Sequence, residues 1–208
     1  MRSYILFIPV LLIYFSCRTI NEEGVSLFNF NDYKKISSPK SKKDSTIVFI
    51  NLLNNGQYEK AEKIYPKLSK IDVSSGMIRV EGKEPFLNGL GDYMYDYDKN
   101  TYDFLALSVY LKSKYNTRLE FYDKMIRGSL RLDSTNVPAI FLLAKLRYEN
   151  KIMPDALYLA NKMVELEPNN NKLREIRDNL QSRQAPLGEN LPTFSEFLKT
   201  DIYYIESE

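Results

Sequence analysis

Between Val137 and Asn170 the chain reads VPAIFLLAKLRYENKIMPDALYLANKMVELEPNN, and this stretch constrains the fold more than any other. It predicts two helices joined by a turn near Lys151. Small Ala144 and Ala156 let two antiparallel helices approach closely, and Pro168 stops the second. From Thr46 onward apolar residues recur at helical steps. Asn54-Asn55-Gly56 forms a turn there, followed by Tyr58, Ala61, Ile64 and Tyr65. Asn-Gly between apolar segments can mark a β-hairpin, but flanks of period 3.6 rather than 2 predict helix–turn–helix. Abundant Tyr (16) and Phe (11) against only 8 Gly favour packed helices over loops, so the expected class is all-α.

The unit from Val137 to Asn170 resembles a tetratricopeptide repeat at its full 34-residue length. Counted from Val137, Leu143 and Ala144 take the seventh and eighth positions, Ala156 the twentieth and Pro168 the thirty-second. Ile140 stands in place of the usual Trp, Arg147 in place of an aromatic, and Lys151 in place of the turn Gly. The preceding segment, Tyr122 to Asn136, is in register with it: Leu130 and Leu132 correspond to Val164 and Leu166, and Asp133 to Glu167. Its first half is degenerate, with Tyr122 where a small residue belongs. Gly56, Tyr58 and Ala61 give an earlier half-match. SSGMIRVEGKEPFLNGLG, holding four of the eight glycines, breaks the period as an insertion loop or as a repeat lacking its first helix. NKLREIRDNLQSR after Asn170 reads as a polar-faced helix suited to capping an array. Beyond it, Phe194, Phe197, Leu198, Ile202 and Ile205 fall on one face and are expected to fold back.

The resemblance implies a short helical-hairpin solenoid over residues 46–183, with residues 184–208 as a C-terminal turn and packing helix. It also implies a binding groove formed by the first helix of each repeat. In the best repeat that surface comprises Phe141, Lys145, Tyr148 and Glu149; its predecessor offers Leu107 and Leu111. Lys145 alone does not make a carboxylate clamp, so an apolar groove for a hydrophobic peptide or partner helix is expected.

The chain's one cysteine adds a location. Met1-Arg2 is followed by twelve apolar residues, Tyr4 to Phe15, then Ser16 and Cys17. As a helix that run reaches about 18 Å, short of the ~30 Å hydrocarbon core, and reads as a signal-peptide core. With a small residue before Cys17, it resembles the signal of bacterial lipoproteins, although Tyr14 and Phe15 depart from the usual residues. The resemblance implies cleavage after residue 16, acylation of Cys17 and attachment to an envelope membrane, the outer membrane being expected. Residues 17–45 then read as a tether. Its Lys34, Lys35, Lys40, Lys42 and Lys43 could meet anionic headgroups, though a solvated linker is the simpler reading, and Phe28 and Phe30 could pin part of it to the domain.

Chemistry is restricted by composition. There is no histidine, which excludes Ser-His-Asp and Cys-His nucleophile systems, and a single cysteine excludes an intrachain disulfide or a cysteine zinc cluster. A balance of 29 Lys plus Arg against 27 Asp plus Glu argues against general nucleic-acid binding. Asp96, Asp98 and Asn100 imitate the opening of a calcium loop, but Thr101 stands at the sixth position and Leu107 at the twelfth, where Gly and Glu belong. A turn with Thr101 or Asp103 capping the next helix is the simpler reading. Tyr93, Tyr95, Tyr97 and Tyr102 suit either packing or a carbohydrate- or peptide-binding surface. The expected protein is a non-catalytic scaffold without cofactor or metal, holding envelope proteins or peptides at a membrane. Lipidated proteins of this repeat class include accessory subunits of outer-membrane assembly machinery. The alternatives are a surface-exposed lipoprotein binding a host or soluble ligand, and an enzyme using carboxylates between Asp92 and Asp103.

Overall fold

The computed structural model describes residues 27–74, 77–80, 86–87, 100–184, 186–188, 190–200 and 202. Cys17, the signal-like segment before it, Asp96, Asp98, Tyr93, Tyr95, Tyr97 and Ile205 lie outside the described residues. The chain is mainly helical. Helix α1, Lys42–Asn54, starts where the Ser41 side chain accepts from the amide of Asp44 at 3.1 Å. Gly56, at a φ of 68° that suits glycine, turns the chain into α2, Tyr58–Ile64. The period of 3.6 therefore decided this turn correctly over the hairpin alternative.

Where the glycine-rich stretch is described, it forms strands. Strands β1 (Ile71–Ser74), β2 (Met77–Val80) and β3 (Phe86–Leu87) form an antiparallel sheet in the order β1-β2-β3. Ile71 pairs with Val80 and Ser74 with Met77, so only Ser75 and Gly76 join the first two strands. Alternating β-branched residues on either side of a two-residue link are a hairpin pattern; counting the glycines as period-breakers hid it.

Helix α3, Thr101–Tyr115, is capped by Asn100, whose side chain accepts from the amides of Tyr102 (2.9 Å) and Asp103 (3.3 Å). The expected caps do other work: Thr101 donates its hydroxyl to the Ser129 carbonyl at 2.9 Å, and Asp103 pairs with Lys42. Four helices follow: α4 (Leu119–Leu132), α5 (Val137–Glu149), α6 (Met153–Leu166) and α7 (Asn171–Arg183). Each packs on its sequence neighbour, and α1 packs on α3. Short turns make consecutive helices antiparallel. Ala144 and Ala156 are fully buried between α5 and α6, and Lys151 takes a φ of 61° in the turn between them. Where α3 meets α4, a Cβ on Gly128 would lie 2.7 Å from the Phe104 ring, so the approach depends on the missing side chain. Among the described residues no helix is long and apolar enough to cross a membrane.

Two buried polar clusters tie the helices together. Thr101, Ser129 and Asn136 exchange hydrogen bonds of 2.7–2.9 Å where α3, α4 and α5 meet. Deeper, the Asp123 carboxylate lies 2.7 Å from both Arg127 and Arg147, and Arg147 reaches Asp155 at 3.4 Å. Burial pushes the Asp123 carboxyl up and Arg147 down, and the opposed charges of Asp123, Arg127 and Arg147 counter it. Arg127 also donates to the carbonyls of Leu198 (3.1 Å) and Thr200 (2.8 Å), holding the C-terminal segment back against α4. That segment contains helix α8, Phe194–Phe197, opened by a Thr193–Glu196 capping box, with Phe197 and Leu198 buried.

Candidate functional site

The face of α5 carrying Phe141, Lys145, Tyr148 and Glu149 was expected to stand open as a groove. It is covered by the chain's own residues 27–33. Phe141 is fully buried beneath three rings: Phe28 at 5.5 Å, Phe30 at 5.2 Å and Tyr33 at 5.7 Å between centroids. Phe28 also lies 5.3 Å from the ring of Tyr148, one helical stretch further along α5. Lys145 and Glu149 pair with each other at the more exposed edge. Leu107 and Leu111 are buried in the core rather than lining a surface. What had read as the second half of a tether is thus part of the domain, and α1 begins at Lys42 rather than near residue 46. The physical reason is the aromatic content of a polar segment: rings that can reach an apolar face leave water.

Local structure aims those rings. Asn29 accepts from the amide of Asn31 at 3.1 Å and starts a single 3₁₀ turn, Phe30–Asp32, closed by the Tyr33 amide on the Phe30 carbonyl at 3.1 Å. The turn brings Phe28, Phe30 and Tyr33 to the same helix. Contacts run from Tyr148 through Phe141 to Glu167, so the segment lies antiparallel to α5.

At its far end the Tyr33 hydroxyl donates to Glu167 at 3.0 Å, just past the C-terminus of α6. Lys43 Nζ donates to the same carboxylate at 2.6 Å, and the Asn170 amide donates to it at 3.1 Å and to the Tyr33 carbonyl at 3.5 Å. Burial opposes the charge on Glu167, but hydrogen bonds from Lys43, Asn170 and Tyr33 outweigh it and hold the carboxyl below its ordinary value. Burial, and then Glu167, raises the Tyr33 phenol far above its usual range, so it stays a donor. Of the five lysines, Lys34 pairs with Asp44, Lys42 with Asp103 and Lys43 with Glu167, while Lys35 and Lys40 are exposed.

The arrangement is edge-on and tilted rings from the chain's own segment on an apolar helix face, ending at a carboxylate that receives a phenol, an ammonium and an amide. Phe28 and Phe30 were legible as anchors; Tyr33, Glu167 and Asn170 were not. The signal available was the spacing Phe28-x-Phe30-x-x-Tyr33 inside an otherwise polar run. Arg147 had been noted only as a departure from the repeat pattern, and its partners Asp123 and Asp155 were missed. A separate open cleft of about 480 Å³ lies between α6, α7 and the C-terminal segment, lined by Tyr158, Lys162, Arg177, Leu191 and Phe194 among others. Among the described residues no group of three His, Cys, Asp or Glu could hold a metal ion. No family model, no curated protein and no solved structure matches the chain.

Proposed function

We propose that this protein is a lipid-anchored, tetratricopeptide-like scaffold of a bacterial envelope, which holds a partner protein on the face of α5 that the chain's own aromatic segment occupies in this structure. The single observation that carries the reading is the seating of an aromatic stretch along that helix, antiparallel to it, with its end recognised by Glu167 and Asn170. Helix pairs α3–α4 and α5–α6, followed by the polar-faced α7, support a short repeat array with a cap. The binding mode needs no reacting group, and the protein works by complementarity alone.

Cys17 is the proposed site of acylation. Nine residues separate it from Leu27, the first of the described residues. At no more than ~3.6 Å per residue, that link holds the domain within about 35 Å of the bilayer surface, far closer than a tether ending at residue 45 would. Such a position suits a scaffold whose partner is itself at the membrane.

The test is crosslinking in cells, followed by purification of the full-length protein in mild detergent. A stoichiometric complex with an envelope protein is the expected result. Recovery of the protein alone, under conditions where a known envelope complex survives, overturns the scaffold.

A further inference from the structure

Residues 27–33 hold few of their contacts through backbone. Leu27 is helical, and from Phe28 to Tyr33 the internal hydrogen bonds close one 3₁₀ turn, too short to persist unsupported in water. What orders them is the docking of Phe28, Phe30 and Tyr33, together with the Tyr33 contacts to Glu167 and Asn170. Residues 34–41, mostly exposed and including Ser37-Ser38-Pro39, join the segment to α1. Lifting it away breaks no pairing among α1 and α3 to α7, and it uncovers a ready-made site. That site has the Phe141 and Tyr148 rings along its floor, the Lys145–Glu149 pair at one edge, and Glu167 with Asn170 at its end.

We infer that residues 27–33 are a displaceable occupant of the α5 groove, and that the groove's partner is a peptide taking the same single turn, with two aromatic residues spaced i, i+2 and a hydroxyl donor three residues further on. The chain's own segment is the template for that ligand: two rings for Phe141 and Tyr148, one phenol for Glu167. The inference rests on the scaffold reading above and names both its partner chemistry and its control. A segment tethered by a short link competes at an effective concentration in the millimolar range. A partner must therefore exceed it in affinity or number, and the site stays shut until one does.

The experiment uses full-length protein in mild detergent and a fluorescent peptide of this chain's residues 25–36, VSLFNFNDYKKI, followed by anisotropy. The peptide is expected to bind the Phe28→Ala/Phe30→Ala variant at least tenfold more tightly than wild type. Adding Phe141→Ala, or placing alanine at both phenylalanines of the peptide, is expected to remove that binding. Equal binding to wild type and variant overturns the inference, as does a folded variant that binds no peptide. If the variant does not fold, hydrogen exchange on wild type decides. The amides of Asp32 and Tyr33 should exchange through a local opening, with protection at least tenfold below that of the α5 amides. Equal protection means the segment leaves only on global unfolding, and sinks the proposal. Peptide binding without an envelope complex in cells would fault the scaffold reading alone; a complex without peptide binding would fault only this inference.

Discussion

Arg147 shows how a single residue can belong to the interior while carrying a charge. Its side chain is 1% exposed, as is that of Asp123, and the two meet at 2.7 Å with Arg127 closing the other side of the carboxylate. Such a group is not retained for the strength of the pair, since desolvation consumes much of the Coulombic gain. Removing one member is another matter. Asp123→Ala would leave two guanidiniums facing each other in the core and is expected to destabilise the fold by about 3–5 kcal/mol, read as a lower urea midpoint. A loss under 1 kcal/mol would mean that water reaches the cluster. Lys151 makes the opposite case. At a φ of 61° its Cβ is strained, and Lys151→Gly should stabilise the protein by about 0.5–1 kcal/mol, visible as a melting temperature a few degrees higher.

At the scale of elements, α5 is apolar nearly all round, with every residue from Val137 to Ala144 buried. A helix of that kind needs cover on both sides. Helices α4 and α6 cover one, and the 27–33 segment covers the other. The lock at its end is pH-dependent through Glu167, which faces Lys43, Asn170 and Tyr33. Its folded carboxyl lies below the ordinary 4.5. The stability it contributes is therefore complete above about that pH, and is lost as pH falls through the folded value. Wild type and Glu167→Gln should differ in melting temperature at pH 7, and the difference should shrink as pH falls below 4.5 through the folded value. A difference that acid leaves unchanged would contradict the assignment.

For the whole molecule, the proposed location turns on Cys17. Cys17→Ser is expected to abolish incorporation of labelled fatty acid and to move the protein from the membrane to the soluble fraction; unchanged fractionation would rule out the lipid as its anchor. The helical hairpin over Val137 to Asn170 and the helix at Asn171–Arg183 were legible in the chain alone, because spacing and helix-stopping residues are local properties. The sequence by itself likewise determined that Phe28 and Phe30 were anomalous in a polar segment. It did not determine where they go. The burial of Arg147 against Asp123 and the meeting of Tyr33 with Glu167 depend on which surfaces arrive together. Tyr33 and Glu167 lie 134 residues apart. No local periodicity encodes such a contact; it exists because helix stacking brings the turn after α6 alongside the start of α1, leaving an apolar face that the nearest available rings then cover.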